Sequence, residues 1–227
     1  MDEVEKQLER VRFEKIQPIY SKRRGLLIEI ASFWYIVLAE HEDFQEYIQT
    51  QDMKYLEYIK EIYVEYLVED DPLKFSITFG FEAPNGEIPT QSVTKVFEKT
   101  RDADSGEEKL VSSAVGFDWP KDLDSINPLL IKSKGDLTPA DKKNYRTGMK
   151  SFFAFFAWTG KKPGKEYRHG EDLALLIAED LFPHATKYYT EAAPGLGDEE
   201  EDEELGSSSE ELDLDDEPDS KRIKLDL

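Results

Sequence analysis

Three histidines are the side chains of this chain best suited to proton transfer, because the sequence contains no cysteine. His41, His169 and His184 show no metal-ligand spacing, and no Ser-His-Asp order forms a recognisable catalytic motif. The lack of cysteine excludes disulfides, thiolate nucleophiles and cysteine-ligated metal centres. The sequence therefore predicts no catalytic residue, no metal site and no bound cofactor. A hydrolase that uses two carboxylates stays an open alternative, since spacing alone cannot test it.

A lysine-rich loop, GKKPGKE at residues 160–166, superficially resembles a phosphate-binding loop. Its glycines are separated by three residues instead of four, and Glu166 stands where a magnesium-binding hydroxyl is needed. We therefore predict a solvated basic loop that closes a helix. Together with Arg168, the same loop could instead dock an acidic partner protein.

Acidic side chains are the strongest chemical signal in the sequence. The chain has 50 Asp and Glu against 29 Lys and Arg, a formal charge of -21, which repels nucleic acid and favours basic partners. Residues 194–227 hold 15 of these acids and no aromatic residue, so we predict that this tail is disordered. One block in the tail is purely acidic: Asp198, Glu199, Glu200, Glu201, Asp202, Glu203 and Glu204.

More acids lie on the predicted last helix, which runs from about Glu171 to Ala193 with an interruption at Pro183. Leucine and isoleucine recur there at spacings of three and four, which places the acids on the outer side of the helix. A plain solvated helix face would explain them, but the adjacent tail favours a surface for a cationic partner. The acids concerned are Glu171, Asp172, Glu179, Asp180 and Glu191.

The first element that must position these charges is a long helix. Apolar residues at spacings of three and four predict it from Asp2 to about Glu40, a length of roughly 58 Å that exceeds the domain and implies a partner helix. Pro18 and Gly25 argue against a straight coiled coil, so we predict one bent helix, with two shorter helices as the alternative. The predicted dimer seam comprises Leu8, Val11, Ile16, Ile19, Leu26, Leu27, Ile30, Phe33, Trp34 and Val37.

The middle of the chain predicts a four-stranded antiparallel meander, because alternation of period two is clear over Lys74 to Glu82 and Asn85-Gly86 marks a turn. A helical hairpin or short helix is expected before it, over residues 43–60. After it, Thr138 begins a helix that we expect to run to Gly160. The fold class is therefore α+β. The predicted strands are 62–68, 74–82, 92–99 and 109–115.

The chain divides into a dimerisation helix (1–41), an α+β domain (42–193) and the acidic tail (194–227). No window approaches the roughly 18 apolar residues of a membrane span, and the charged N-terminus is unlike a signal peptide, so we predict a soluble intracellular protein. The only basic cluster of the tail resembles a short nuclear import signal, although it could also pair with neighbouring carboxylates. It consists of Lys221, Arg222 and Lys224.

Several segments together resemble the nucleosome assembly protein and SET family of histone chaperones in their order and spacing. They are PIYSKR at 18–23, IASFW at 30–34, SFFAFF at 151–156 and EDLFP at 179–183, followed by Tyr188-Tyr189 and the acidic tail. Other segments are similar to the fungal SET-like branch: SINP at 125–128, YRTGMK at 145–150, WTG at 158–160 and PGKE at 163–166.

This resemblance implies a homodimer of antiparallel long helices, an α+β "earmuff" domain in each chain and no catalysis. It further implies partnership with a fungal histone lysine acetyltransferase and binding of core histones on an acidic concave underside. Placement in the nucleus, with the cytoplasm as a further location, is predicted from the basic cluster Lys221, Arg222 and Lys224. The five acids of the last helix and the acidic tail block are then the expected histone contacts. A second class stays open, an adaptor or inhibitor of another enzyme such as a phosphatase.

Overall fold

A computed structural model describes residues 3–67, 74–101, 106 and 108–192 of the chain. Two helices come first, two short helical segments and a four-stranded sheet follow, and further short helical segments complete the domain. The α-helices are α1 (Glu3–Leu27), α2 (Phe33–Glu40), α3 (Met53–Leu56), α4 (Pro128–Lys132), α5 (Pro139–Gly148), α6 (Gly170–Leu175) and α7 (Ala185–Ala192). Other helical segments are the 3-10 helices Glu42–Tyr47, Lys121–Leu123 and Phe152–Ala157 and the π-helix Leu176–Leu181.

Helix α1 is apolar on two opposite faces. The inner face packs on the chain itself, where the ring of Phe13 stacks on Tyr66 with 3.7 Å between centroids. The outer face is open to solvent, and Leu8, Ile19 and Leu26 are 67%, 63% and 70% exposed. One helix thus contributes to the core of its own chain and presents a second apolar stripe outward.

The helical path breaks at residues 28–32. Ser32 has a φ of 55°, a left-handed conformation that cannot continue an α-helix. The preferred prediction of one bent helix to Glu40 is therefore wrong, and the alternative of two helices is correct. Pro18 lies inside α1 without ending it. Beyond the break, α2 packs into the domain instead of extending the outer stripe.

Arg23 links the C-terminal part of α1 to the segment that directly precedes α7. Its guanidinium donates hydrogen bonds to the carbonyl oxygens of Phe182, at 2.5 Å, and Pro183, at 3.0 Å. It also lies over the rings of Tyr20 and Phe182, 4.7 and 4.5 Å from their centroids. These contacts explain how a helix with little covering structure keeps a fixed orientation on the domain.

The sheet is an antiparallel meander in the order β1-β2-β3-β4, as predicted. In β2 the residues Phe75, Ile77, Phe79 and Phe81 are at most 5% exposed, as predicted for the core-facing side. Ser76 on the opposite side is also buried, at 4%, so the strand is covered there more than the alternation predicts. Gly86, with a φ of 76°, forms the turn after β2. The strands are β1 (Ile59–Tyr66), β2 (Lys74–Phe81), β3 (Gln91–Arg101) and β4 (Glu108–Ser112).

The predicted helix from Thr138 to Gly160 is correct only in its first part. Thr138 and Asp141 form the predicted capping box, but α5 ends at Gly148. Ser151 then adopts an extended conformation and accepts a hydrogen bond from the Phe153 N–H, which starts a separate 3-10 helix. The helix is interrupted because tertiary contacts hold this segment in a different path.

Asp52 supplies those contacts. It lies in the segment that was predicted as a helical hairpin or short helix, and this segment forms a 3-10 helix and α3. Its buried carboxylate accepts hydrogen bonds from the Ser151 hydroxyl (2.7 Å) and from the N–H groups of Phe152 (2.9 Å) and Gln49 (3.0 Å). Burial raises the pKa of Asp52, which these hydrogen bonds partly oppose. The 3-10 helix is thereby held with its phenylalanines against the sheet, where Phe156 meets Phe79 at 5.4 Å.

A second buried charge lies inside the sheet. Lys95 on β3 is 0% exposed, and its ammonium donates to the carbonyl oxygens of Ser113, Phe156 and Trp158 at 2.7, 3.3 and 2.6 Å. It thus joins the chain leaving β4 to the phenylalanine-rich 3-10 helix. Burial lowers the pKa of Lys95 to about 7, although the nearby charge of Glu166 opposes this.

Stability should consequently rise with pH above neutrality. The folded pKa of Lys95 lies below its ordinary value of 10.5, so the unfolded chain binds more protons between these two values. From pH 7 to pH 9 we expect a gain of about 2 kcal/mol in the free energy of unfolding. Urea unfolding at fixed protein concentration measures it. Lys95→Met should be less stable throughout but lack this gain, and equal pH slopes in the two proteins would contradict the prediction.

Within the described residues, no helix is both long and apolar enough to cross a membrane. The acidic tail, its block Asp198 to Glu204, and the basic cluster Lys221, Arg222 and Lys224 lie outside the residues that the structure describes. The predictions made for them therefore stay predictions.

Candidate functional site

The lysine-rich loop is closed by its own carboxylate. Glu166 accepts hydrogen bonds from the backbone N–H groups of Thr159 and Lys162. Burial disfavours the charged form of Glu166, but these hydrogen bonds outweigh it and lower its pKa. Gly160 and Gly164 have φ values of 72° and 73°, as the tight turns require. The N–H groups that would cradle a phosphate are thus already occupied, in agreement with a basic loop that closes a helical segment.

Asp180 is the centre of a polar cluster and not a free surface acid. His41 Nε2 lies 3.2 Å from one carboxylate oxygen, while His184 Nδ1 and the Tyr188 hydroxyl lie 3.0 and 2.9 Å from the other. Burial opposes ionisation of Asp180, yet hydrogen bonds from Tyr188, His41 and His184 lower its pKa overall. This corrects the expectation that Asp180 simply faces outward. Its carboxylate ties the π-helix to the residues after α2 and to α7.

Glu171 is likewise engaged within the domain. Its carboxylate accepts a hydrogen bond from the Leu110 N–H at 2.9 Å, which anchors the start of α6 to strand β4. Like Asp180, it therefore holds the fold together and is only partly available to a ligand.

The other three predicted acids do project into solvent. The side chains of Asp172, Glu179 and Glu191 are 65%, 60% and 49% exposed. Glu179 lies 3.4 Å from Lys99, and Glu191 lies 3.7 Å from Lys187, so both have a basic neighbour within their own chain. Such exposed ion pairs contribute little to stability and exchange readily with other partners.

Two further acids complete this surface. Tyr47 lies on the same 3-10 helix as Asp43 and Glu46, and its ring is 5.7 Å from that of His169, whose Nδ1 lies 3.8 Å from Asp172. Burial and then the negative charges of Asp172, Glu46 and Asp43 raise the pKa of Tyr47. Burial, a hydrogen bond to Asp180 and the charges of Glu191 and Asp43 likewise raise the pKa of Tyr188 to about 12. Asp43 lies two residues after His41, whose ring is 5.0 Å from that of Tyr188 on α7, the helix of Glu191. We call this surface the acidic face, defined by Asp43, Glu46, Asp172 and Glu191.

Sequence reasoning missed Asp43 and Glu46. Both are exposed and lie on the 3-10 helix Glu42–Tyr47, in a segment treated only as a connecting helix. The available signal was the three-residue spacing of Asp43 and Glu46, interleaved with Phe44 and Tyr47, which puts acids and aromatics on different sides of a helical turn. Their proximity to α6 and α7 is a tertiary feature.

The predicted dimer residues separate into two groups. Those that pack within their own chain, a correction to the predicted seam, are Ile16, Leu27, Phe33, Trp34 and Val37. Those with exposed side chains are Leu8, Val11, Ile19, Leu26 and Ile30. Val4 and Ile28 are exposed beside them, at 77% and 52%. The apolar surface that a mate could cover is therefore narrower than predicted and lies on α1 and the turn after it.

Within the described residues, no group of three or more His, Asp or Glu side chains is placed to hold a metal ion. The acids and histidines around Asp180 hydrogen bond to one another and to Tyr188. The arrangement is suited to stabilising the fold beneath a negatively charged surface.

Comparison with known proteins agrees with this architecture. The family described as "Nucleosome assembly protein (NAP)" matches residues 21–192. Vacuolar protein sorting-associated protein 75 of Saccharomyces cerevisiae is 42% identical over 242 aligned residues, covering 99% of this chain and 91% of that protein. A putative nucleosome assembly protein of Schizosaccharomyces pombe is 32% identical, covering 85% of this chain and 76% of its own length.

Solved structures agree as well. A crystal structure described as the Vps75 histone chaperone superposes with a TM-score of 0.76 at 44% identity, covering 83% of this chain and 91% of that one. The crystal structure of Ccp1 gives a TM-score of 0.62 at 29% identity, covering 83% and 88%. The resemblance inferred from the sequence segments is thus confirmed, and the chain belongs to the nucleosome assembly protein family.

Proposed function

We propose that this protein is a non-enzymatic histone chaperone that binds core histones and supports nucleosome assembly. The observation that carries the proposal is the acidic face, which gathers exposed carboxylates from three separate helical segments on a domain of this family. Histones are rich in lysine and arginine, so a surface of this charge would attract them and shield them from indiscriminate contact with DNA.

The acidic tail adds a second field of negative charge. It begins just after α7, the helix that carries Glu191, and its first purely acidic block is Asp198 to Glu204. In this proposal the tail captures histones at long range, while the folded acidic face fixes their position. Such a division fits the general finding that charged segments without a core speed association more than they define geometry.

Two further parts of the proposal rest on resemblance to relatives. One is work in the nucleus, which the basic cluster Lys221, Arg222 and Lys224 would serve as an import signal. The other is support of a histone lysine acetyltransferase, as the resemblance to the fungal SET-like branch implies. The acidic face connects the second role with histone binding, because the histone held there would be the substrate of the acetyltransferase.

Reversing two charges of the acidic face should weaken histone binding. We choose Asp43→Lys with Asp172→Lys, because neither carboxylate has the internal hydrogen bonds that Asp180 and Glu171 make. At about 1–3 kcal/mol for two reversed contacts, affinity should fall roughly fivefold to a hundredfold. Fluorescence titration with purified core histones across a salt series measures this. The effect should be largest at low salt.

Asp136→Lys is the control, since Asp136 is exposed between α4 and α5 and lies on none of the three helical segments that carry the acidic face. It should change affinity by less than the double variant. Repeating these titrations with a chain that ends at Ala192 separates the contribution of the acidic face to histone affinity from that of the tail. If the double variant binds as tightly as wild type in that shortened chain, these acids are only solvated and the proposed surface is incorrect.

A further inference from the structure

The acidic function leaves a basic part of the protein unexplained. Residues 121–168 contain eleven Lys and Arg against five Asp and Glu, a net charge of +6 within a chain of -21. Many of these cations are exposed, among them those of the loop that closes on Glu166. Core histones, the proposed ligand, are basic, so this surface would not attract them.

A pocket of about 160 Å³ opens in this region. Its walls are mainly apolar and include Phe117, Trp119, Phe153 and Phe156. At its lining Leu129 is 58% exposed, so apolar surface continues from the pocket to its edge. The pocket can therefore accept one or two aliphatic side chains.

Lysines line the same pocket. Lys132, Lys162 and Lys165 contribute to it, and all three are exposed. Among the described residues, none of their ammonium groups lies within ion-pair distance of a carboxylate. The one carboxylate of the lining is that of Glu166, which is already hydrogen bonded to backbone N–H groups. We call this site the basic-rimmed pocket. It suits an aliphatic side chain flanked by acids.

The chain itself carries a segment of that chemistry outside the described residues. Residues 210–217 read EELDLDDE, with six acids around Leu212 and Leu214. In an extended segment the two leucines point to the same side, because alternate residues share a side. The block 198–204 has no apolar residue, and Ile223 and Leu225 have lysines beside them, which the lysines of the pocket would repel.

We propose that residues 210–217 dock into the basic-rimmed pocket of the same chain. Leu212 and Leu214 fill the apolar part, and the flanking carboxylates meet Lys132, Lys162 and Lys165. The inference does not rest on histone binding and goes beyond the proposed function. Its consequence is that part of the tail is held against the domain and is withdrawn from the acids available to other partners.

The connecting chain is long enough for this. Nineteen residues lie between Ala192, the end of α7, and Leu212. Fully extended they span up to about 70 Å, and as a flexible coil about 25 Å. A domain of this size has a radius of gyration of about 16 Å, so the segment can reach any part of its surface.

Disulfide trapping in the full chain tests the proposal, because the protein has no cysteine of its own. Ala157→Cys places one thiol in the pocket lining, at an exposed small residue. Asp216→Cys places the other two residues after Leu214, on the side of the extended segment that faces the pocket. Under oxidised glutathione, this pair should form an intrachain disulfide at least about tenfold faster than Ala157→Cys combined with Asp202→Cys, because docking raises the effective concentration.

Added substitutions identify the contacts. Leu212→Ser with Leu214→Ser should remove the rate advantage, whereas Ile223→Ser with Leu225→Ser should leave it. Lys162→Glu with Lys165→Glu should also remove it, whereas Lys142→Glu with Lys143→Glu, on α5 outside the pocket, should not. High salt should reduce the advantage.

Equal rates for the cysteines at positions 216 and 202 would overturn the proposal. A covalent dimer on a non-reducing gel would also overturn it as stated, since the pocket would then hold the tail of a second copy. Loss of the advantage in the Ile223→Ser, Leu225→Ser control would show that the leucines at 212 and 214 do not specify docking.

Discussion

Replacing Leu26 by aspartate should convert a homodimer into a monomer at micromolar concentration. Leu26 is 70% exposed on the outer stripe of α1, where burial against a mate would contribute about 1.5–3 kcal/mol from each chain. Losing both contributions should raise the dissociation constant of the dimer roughly a hundredfold to ten-thousandfold. The cost of burying the two new charges would raise it further. Sedimentation equilibrium or light scattering measures the change in mass.

Ser21→Asp provides the matched control. It adds the same charge to the same helix at an exposed position, but it lies on a different side of α1 from Leu8, Ile19 and Leu26. The control should remain dimeric. Wild-type protein that is monomeric at micromolar concentration, or a Leu26→Asp variant that dimerises as well as the control, would show that the stripe has another purpose.

Gly148→Ala should severely destabilise the domain. A Cβ at this position would lie 1.8 Å from the carbonyl oxygen of Ile126 and 3.1 Å from Cδ of Pro128, so the end of α5 would have to move. We expect a loss of about 3 kcal/mol or more in the free energy of unfolding, since the clash is with backbone and not with a flexible side chain. Urea unfolding followed by near-UV circular dichroism reports it.

Gly25→Ala is the corresponding control, because it also replaces a helical glycine but has no atom within 4 Å of the added Cβ. Helix propensity alone predicts that it stabilises α1 by up to about 1 kcal/mol. Gly148→Ala within about 0.5 kcal/mol of wild type would mean that the segment at Ile126 can yield, contrary to the geometry.

The contact at Gly148 also explains two segments that resembled the fungal branch. SINP at 125–128 and YRTGMK at 145–150 lie against each other, and only a glycine allows the backbone of one to approach the other this closely. Their spacing in the sequence identified the family, but it could not show that they touch.

Local structure was predictable from the sequence where the interacting residues lie within a few positions of each other. The Thr138 capping box and the Gly86 turn are of this kind, and so is the core-facing side of β2. Predictions failed where distant groups decide the outcome. Asp52, about 100 residues away in the sequence, accepts hydrogen bonds from Ser151 and Phe152 that are incompatible with a continuous helix there. No pattern near Ser151 indicates this contact.

The acids of the last helix show the same limit. Their spacing correctly placed them away from the leucines, but Asp180 and Glu171 meet His41 and the Leu110 N–H, which lie far along the chain. Periodicity assigned the faces of α1 poorly for a related reason. Both sides of that helix are apolar, so spacing could not distinguish the side packed on its own domain from the side that faces solvent.

The meander has a consequence for synthesis of the protein. Its strands follow one another in sequence, so hairpins can pair as soon as they leave the ribosome. The phenylalanines that cover them, at 152–156, are made about seventy residues after the end of β2, a delay of about 4–14 s at 5–20 residues per second. During that interval Phe79 and Phe81 lack the rings that cover them in the folded domain, and the nascent chain is exposed to aggregation.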